Sequence, residues 1–159
     1  PVFQERVPDE SDRDGVPDSV DQCLGTPVGV IVDEVGCPVA KRITEKITLS
    51  DNVRYASGSA ELTGADEEVL DEVVQSLRAY PETRIEIRGF TDATGPADFN
   101  MELSQDRADA VLQYLVGKGI DVDRMTARGF GENPEYFVAD NATPEGRQKN
   151  RRVEIISVE

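Results

Sequence analysis

Asp92 and Arg107 are the residues whose types and spacing most readily do chemistry in this chain. Asp92 falls where an expected strand gives way to a loop, the sheet edge at which open α/β proteins tend to bind ligands. Arg107 falls inside the next expected helix, a rigid platform for a guanidinium. A carboxylate beside a guanidinium is complementary to a zwitterion. The carboxylate takes an ammonium, and the planar fork takes a carboxylate through two parallel hydrogen bonds. Spacing alone leaves plainer roles open: Asp92, ahead of Gly95, as an Asx-turn residue, and Arg107 as the partner of a local acid. Both positions are expected to be partly exposed, so that substituting them leaves the fold intact. A second cluster lies near the N-terminus. Glu10, Asp12, Asp14, Asp18 and Asp21, with Gly15 at the turn, place oxygens at the spacing of a calcium loop. Its last acid is Asp, so it is no complete EF-hand loop, and an acidic solvated linker without metal is the alternative.

Composition narrows the chemistry. The 159 residues contain no histidine, which removes Ser-His, Cys-His and His-zinc arrangements. Against 17 basic residues stand 32 acidic ones, a net charge of −15. A polyanion repels phosphate backbones and anionic lipid, so nucleic acid is not an expected partner, whereas a cation or a positively charged ligand is. No stretch approaches the roughly 18 apolar residues a membrane helix needs. The chain starts Pro1-Val2-Phe3 without Met or a signal peptide, which reads as a piece of something longer. Contact with a membrane is expected only through a missing upstream segment.

The elements that must position these residues follow from periodicity. Residues 1–40, rich in Asp, Gly and Pro, read as a loop-dominated appendage, and residues 41–159 as a compact mixed domain. Lys46 to Tyr55 is an expected strand, with a bend at Asp51-Asn52. Thr63 is an expected N-cap, with Asp66 as a weak capping-box partner, for a helix burying Val69, Leu70, Val73, Val74 and Leu77 and ended by Tyr80-Pro81. Arg84 to Thr91 alternates as a half-buried strand. After a loop from Asp92 to Asp98, a helix carries Leu103, Ala108, Val111, Leu112 and Leu115 and stops at Gly117-Lys118-Gly119. Met125 to Phe130 is a short strand, and Gly131 to Ala142 a long loop. Thr143-Pro144 starts a brief helix to Lys149, and Arg152 to Val158 is the last strand. The order β-α-β-α-β-β gives an α+β fold: a two-layer sandwich of a mixed four-stranded sheet with two long helices on one face.

Gly89-Phe90-Thr91-Asp92-x-x-Gly95, followed by Asn100-x-x-Leu103-Ser104-x-x-Arg107-Ala108, resembles the signature of OmpA-like peptidoglycan-binding domains. Gly129-Phe130-Gly131, Glu145-Gly146-Arg147 and Asn150-Arg151-Arg152-Val153 extend the resemblance over about residues 45 to 158. It implies a non-enzymatic domain that binds peptidoglycan through the meso-diaminopimelate of the stem peptide. Such a domain anchors the outer membrane to the cell wall from the periplasm. By position, Asp92 and Arg107 would grip the amine and carboxylate of diaminopimelate. Asn100, Arg151, Thr91 and the backbone of Ser57-Gly58-Ser59 would join them, with Leu103 lining the pocket. Asn100 and Arg151 also fit as cap and sheet-edge residues. Phe90 departs from the His or Tyr of many relatives, which removes a polar group near the site.

The acidic loop with Cys23 and Cys37 resembles a thrombospondin type 3 repeat, although Cys23-Leu24 stands where Cys-Pro is frequent. The resemblance implies bound calcium, and two cysteines at this spacing in an exported protein imply a disulfide. Two free thiols would instead suit a cytosolic protein. Two other functions remain as rivals. A wall hydrolase would need two carboxylates set as acid and base, and no motif supplies them. A calcium-dependent interaction or adhesion module would dock on an outer-membrane porin.

Overall fold

The computed structural model describes residues 14–49 and 64–158. Strand β2, Arg84–Phe90, alternates buried Ile85 and Ile87 with half-exposed Glu86 and Arg88, as its period-two pattern requires. It pairs in parallel with β3, Met125–Gly129, setting Ile85 against Met125 and Gly89 against Gly129. On its other side runs β4, Arg152–Val158, antiparallel, with Ile87 opposite Ile155 and Phe90 opposite Arg152. The outer neighbour of β4 is β1, Ile47–Thr48, and the sheet order is β1-β4-β2-β3. The last strand therefore inserts between the first two, and the sheet is mixed, as expected. The strand expected from Lys46 to Tyr55 forms a ladder at Ile47–Thr48, extended by the Leu49 N–H donating to the Val153 carbonyl. Its continuation to Tyr55 lies outside the described residues.

Helix α1, Gly64–Ala79, buries Leu70, Val73, Val74 and Leu77, whereas Val69 is only half buried. Each fully buried leucine contributes about 2 kcal/mol relative to exposure. The expected cap Thr63 lies outside the described residues. Helix α2, Ala97–Gly117, begins inside the segment expected to be loop through Asp98, because Pro96 supplies an extended cap residue and Ala97 starts the turn. It buries Leu103, Ala108, Val111 and Leu115, and Gly119 takes the left-handed φ of 91° just beyond its end. A Cβ on Gly89 would strike the Ser104 carbonyl, and one on Gly129 the Gln105 amide. These two glycines let the backbone of α2 lie directly on β2 and β3.

Helix α3, Pro144–Asn150, opens on Thr143, whose Oγ1 accepts from the Gly146 N–H at 3.0 Å. The connection from Gly131 to Ala142 is not plain loop: Pro134–Tyr136 forms a 3-10 turn. Buried Asn150 holds this connection, accepting from the Val138 and Ala139 N–H groups and donating to the Ala139 carbonyl.

The chain forms two compact units, one of Pro1–Arg42 with Gln75–Pro81 and the other of Ile43–Val74 with Glu82–Glu159. The first contains the Cys23–Cys37 disulfide, Cα atoms 5.0 Å apart, so the expected pairing holds and free thiols do not. The Asp33 carboxylate accepts from the Val35 and Cys37 N–H groups inside that loop. Ser76 joins the same unit by donating to the Lys41 carbonyl, and the Arg42 guanidinium lies 4.6 Å from the centre of the Tyr80 ring. The second unit contains the whole sheet. Among the described residues, no helix is long and apolar enough to cross a membrane.

Candidate functional site

The end of β2 carries Thr91 and Asp92 to the sheet edge. The Thr91 N–H donates to the Gly131 carbonyl at 3.0 Å, which fixes where the strand stops. Asp92 then turns back on itself: its Oδ1 accepts from the Thr94 N–H at 2.8 Å, an Asx turn. Arg151, at the C-terminal end of α3, donates from Nη1 to Asp92 Oδ2 at 2.7 Å. Arg107 comes from α2 and donates from Nη1 to the Phe90 carbonyl at 3.2 Å. Asn100, in the first turns of α2, donates from Nδ2 to the Thr94 carbonyl at 2.9 Å and to Glu132 Oε2 at 3.3 Å. These groups surround a cavity of about 210 Å³, whose walls include Thr91, Asp92, Phe99, Asn100, Arg107 and Arg151.

One expectation is corrected here. Asp92 and Arg107 are not partly exposed: they retain 4% and 0% of their accessible surface. The reason is tertiary, since α2 lies directly on β2 and Arg151 closes over the strand end. The ion-pair partner of Asp92 is Arg151. One Asp92 carboxylate oxygen thus serves the Asx turn and the other the Arg151 ion pair. Burial by itself would raise the Asp92 carboxyl. The hydrogen bond from Arg151, those from the Thr94 backbone and side chain, and the Arg151 charge outweigh it and hold the pKa below the ordinary carboxylate value. Asp92 is thus an anion at neutral pH, set in a pocket with two guanidiniums.

The Phe90 side chain does not reach the cavity. Its ring stacks on Phe130 at 5.3 Å and lies 4.1 Å beneath the Arg152 guanidinium, and only its carbonyl serves the site. Leu103 lines the cavity and is buried, in keeping with a wall residue. Ser57, Gly58 and Ser59 lie outside the described residues, as do Glu10 and Asp12. Asp14, Asp18 and Asp21 fall in the other unit. Among the described residues, no three His, Cys, Asp or Glu side chains gather as a metal cluster. Sequence reasoning passed over Phe99, which is 52% exposed at the cavity wall, and Glu132, which touches Asn100. Adjacency to Asn100 could have flagged Phe99. One glutamate among 32 acidic residues gives no such signal.

Comparison with known proteins agrees with this architecture. Residues 54–151 match the OmpA family. The chain is 38% identical over 146 residues to outer membrane porin F of Pseudomonas aeruginosa, covering 91% of this chain and 40% of that protein. It is 45% identical over 105 residues to the peptidoglycan-binding protein ArfA of Mycobacterium tuberculosis, covering 65% of this chain and 31% of ArfA. The chain thus spans less than half the length of these relatives. The crystal structure of the peptidoglycan-associated lipoprotein from Burkholderia pseudomallei superposes with a TM-score of 0.63 at 28% identity, covering 67% of this chain and 88% of that one. With its family signature, its sheet order and its strand-end cavity in place, this chain belongs to the OmpA family.

Proposed function

We propose that the second unit binds peptidoglycan without cleaving it, by seating the zwitterionic end of meso-diaminopimelate in the cavity at the end of β2. The observation that carries this reading is the convergence of Asp92, Asn100, Arg107 and Arg151 on one small cavity. A carboxylate and an amide face an ammonium, and guanidiniums face a carboxylate. ArfA and the peptidoglycan-associated lipoprotein, which resemble this chain, support the same ligand class. Each charge-assisted hydrogen bond contributes about 1.5–3 kcal/mol before desolvation, so one domain holds one stem peptide weakly. Many copies facing a continuous wall multiply that grip, which suits an outer-membrane anchor acting from the periplasm. A pull-down with purified sacculi tests this. Binding should be competed by free meso-diaminopimelate, and binding indifferent to it would refute the ligand.

A calcium ion in the first unit is a second reading, favoured by one feature of Asp21. That residue is 9% exposed, its Oδ1 accepts from the Cys23 N–H at 2.7 Å, and its Oδ2 is buried without a hydrogen-bond partner. A Cβ on Gly36 would strike the Asp21 carboxylate, and Asp14 Oδ2 lies 2.9 Å from the same point. Two carboxylates converging beside a glycine offer hard oxygen donors to a cation, and Glu10, Asp12 and Asp18 would complete the set. Calcium should raise the melting temperature of the wild-type chain and not that of Asp21→Asn. Equal behaviour of the two would remove the ion from this site.

A further inference from the structure

We infer that Glu132 is a positioning residue of the cavity, which turns the Asn100 side-chain oxygen toward the ligand and makes Asn100 an acceptor for its ammonium. The inference rests on the cavity being a zwitterion site. Asn100 retains 3% of its accessible surface, so the groups packed around it set the orientation of its amide. The amide nitrogen has two hydrogens and three acceptors around it: the Thr94 carbonyl at 2.9 Å, Glu132 Oε2 at 3.3 Å and the Asp92 carbonyl at the limit of 3.5 Å. Were the amide turned over, its oxygen would face two carbonyls and a carboxylate, all of them acceptors. The nitrogen is therefore committed to the protein, and the oxygen is left for the cavity that Asn100 lines. Of the three acceptors only Glu132 is charged. It is also the one that a side-chain substitution can remove.

Glu132 is itself held in place by its neighbour. The Gly131 N–H donates to Ser104 Oγ at 2.8 Å, and the Gly131 carbonyl accepts from the Thr91 N–H at 3.0 Å. The turn after β3 is thereby fastened to both α2 and the end of β2, and it delivers the Glu132 carboxylate to the Asn100 side-chain nitrogen. Glu132 is not among the residues lining that cavity, and its contact with the site is through Asn100. The arrangement assigns the poles of the pocket. Asp92 and the Asn100 oxygen form the ammonium side, whereas Arg107 and Arg151 form the carboxylate side.

The test compares Glu132→Leu, which removes the acceptor, with Glu132→Gln, which keeps one, by NMR titration of the folded chain. The probes are meso-diaminopimelate and pimelate, the same carbon chain without either amine. Loss of one hydrogen bond should weaken diaminopimelate binding by Glu132→Leu about three- to tenfold and leave pimelate unaffected, with Glu132→Gln close to wild type. The Asn100 side-chain amide resonances should shift and exchange faster in Glu132→Leu and be restored in Glu132→Gln. Equal weakening of both probes would mean general damage to the pocket, and unchanged diaminopimelate binding would mean that Glu132 positions nothing; either result overturns the inference. Failure of the wild-type chain to bind diaminopimelate would refute the ligand instead. The Asn100 resonances alone would then decide whether Glu132 sets the amide.

Discussion

Replacing Asp92 with asparagine or with alanine should separate the two jobs of this carboxylate. Asparagine keeps an oxygen for the Thr94 N–H, now received at 2.8 Å, and loses the charge that faces Arg151 at 2.7 Å. The Asp92 and Arg151 side chains are 6% and 17% exposed, a largely buried pair. Losing its charge-assisted hydrogen bond should cost about 2 kcal/mol, because Arg151 keeps some access to water and is not wholly stranded. Alanine removes the Asx-turn acceptor as well, at a further cost of about 1 kcal/mol. Urea unfolding at neutral pH should therefore rank wild type above Asp92→Asn and that above Asp92→Ala. The pH dependence has a defined sign. Because folding lowers the Asp92 pKa, its stabilisation is present above the ordinary carboxylate range and is lost as pH falls through the depressed value. Asp92→Asn should lack that acid-side loss. In binding, both variants should lose about thirtyfold toward diaminopimelate, the equivalent of about 2 kcal/mol. If Asp92→Asn matched wild type in stability and in its acid slope, the Arg151 pair would carry no energy. If both folded variants bound sacculi at full strength, the ammonium assignment would be refuted.

Other substitutions probe the scaffold. Gly89→Ala should cost about 2–4 kcal/mol or prevent folding, since its methyl meets the Ser104 carbonyl, and a melting temperature near wild type would refute the close approach of α2. Reducing the Cys23–Cys37 bond should lower the stability of the first unit by about 3 kcal/mol, read as earlier protease cleavage within residues 14–42. The Tyr114 hydroxyl donates to Asp71 Oδ1 at 2.6 Å, and this hydrogen bond to a carboxylate pushes its pKa up to about 12. Its stabilising contribution is complete below the ordinary tyrosine pKa of about 10 and is lost as pH rises through 12. Ultraviolet titration should show a late tyrosine component that disappears in Tyr114→Phe; identical titration curves for the two chains would contradict the contact.

The sequence alone determined the local elements and the two poles of the site. The apolar stripe Leu70, Val73, Val74 and Leu77 specifies a helix because residues three and four apart share a face. Ile85 and Ile87, alternating with Glu86 and Arg88, specify a half-buried strand for the equivalent reason at period two. Such patterns are readable because they depend only on neighbours along the chain. They also place Asp92 at a strand end and Arg107 on a helix. What they do not carry is which distant segments meet. The insertion of β4 between β1 and β2 is a choice among possible pairings of apolar strands, and total burial decides it. That insertion sets Phe90 against Arg152 and so brings Arg151 onto Asp92, 59 residues earlier in the chain. It also closes the strand end under α2, and for that reason residues expected at the surface are buried. Glu132 reaches Asn100 through a turn fastened to two other elements, a placement no spacing rule encodes. Residue type gave the charges of the pocket, and long-range packing decided which of them face one another and how much water they keep.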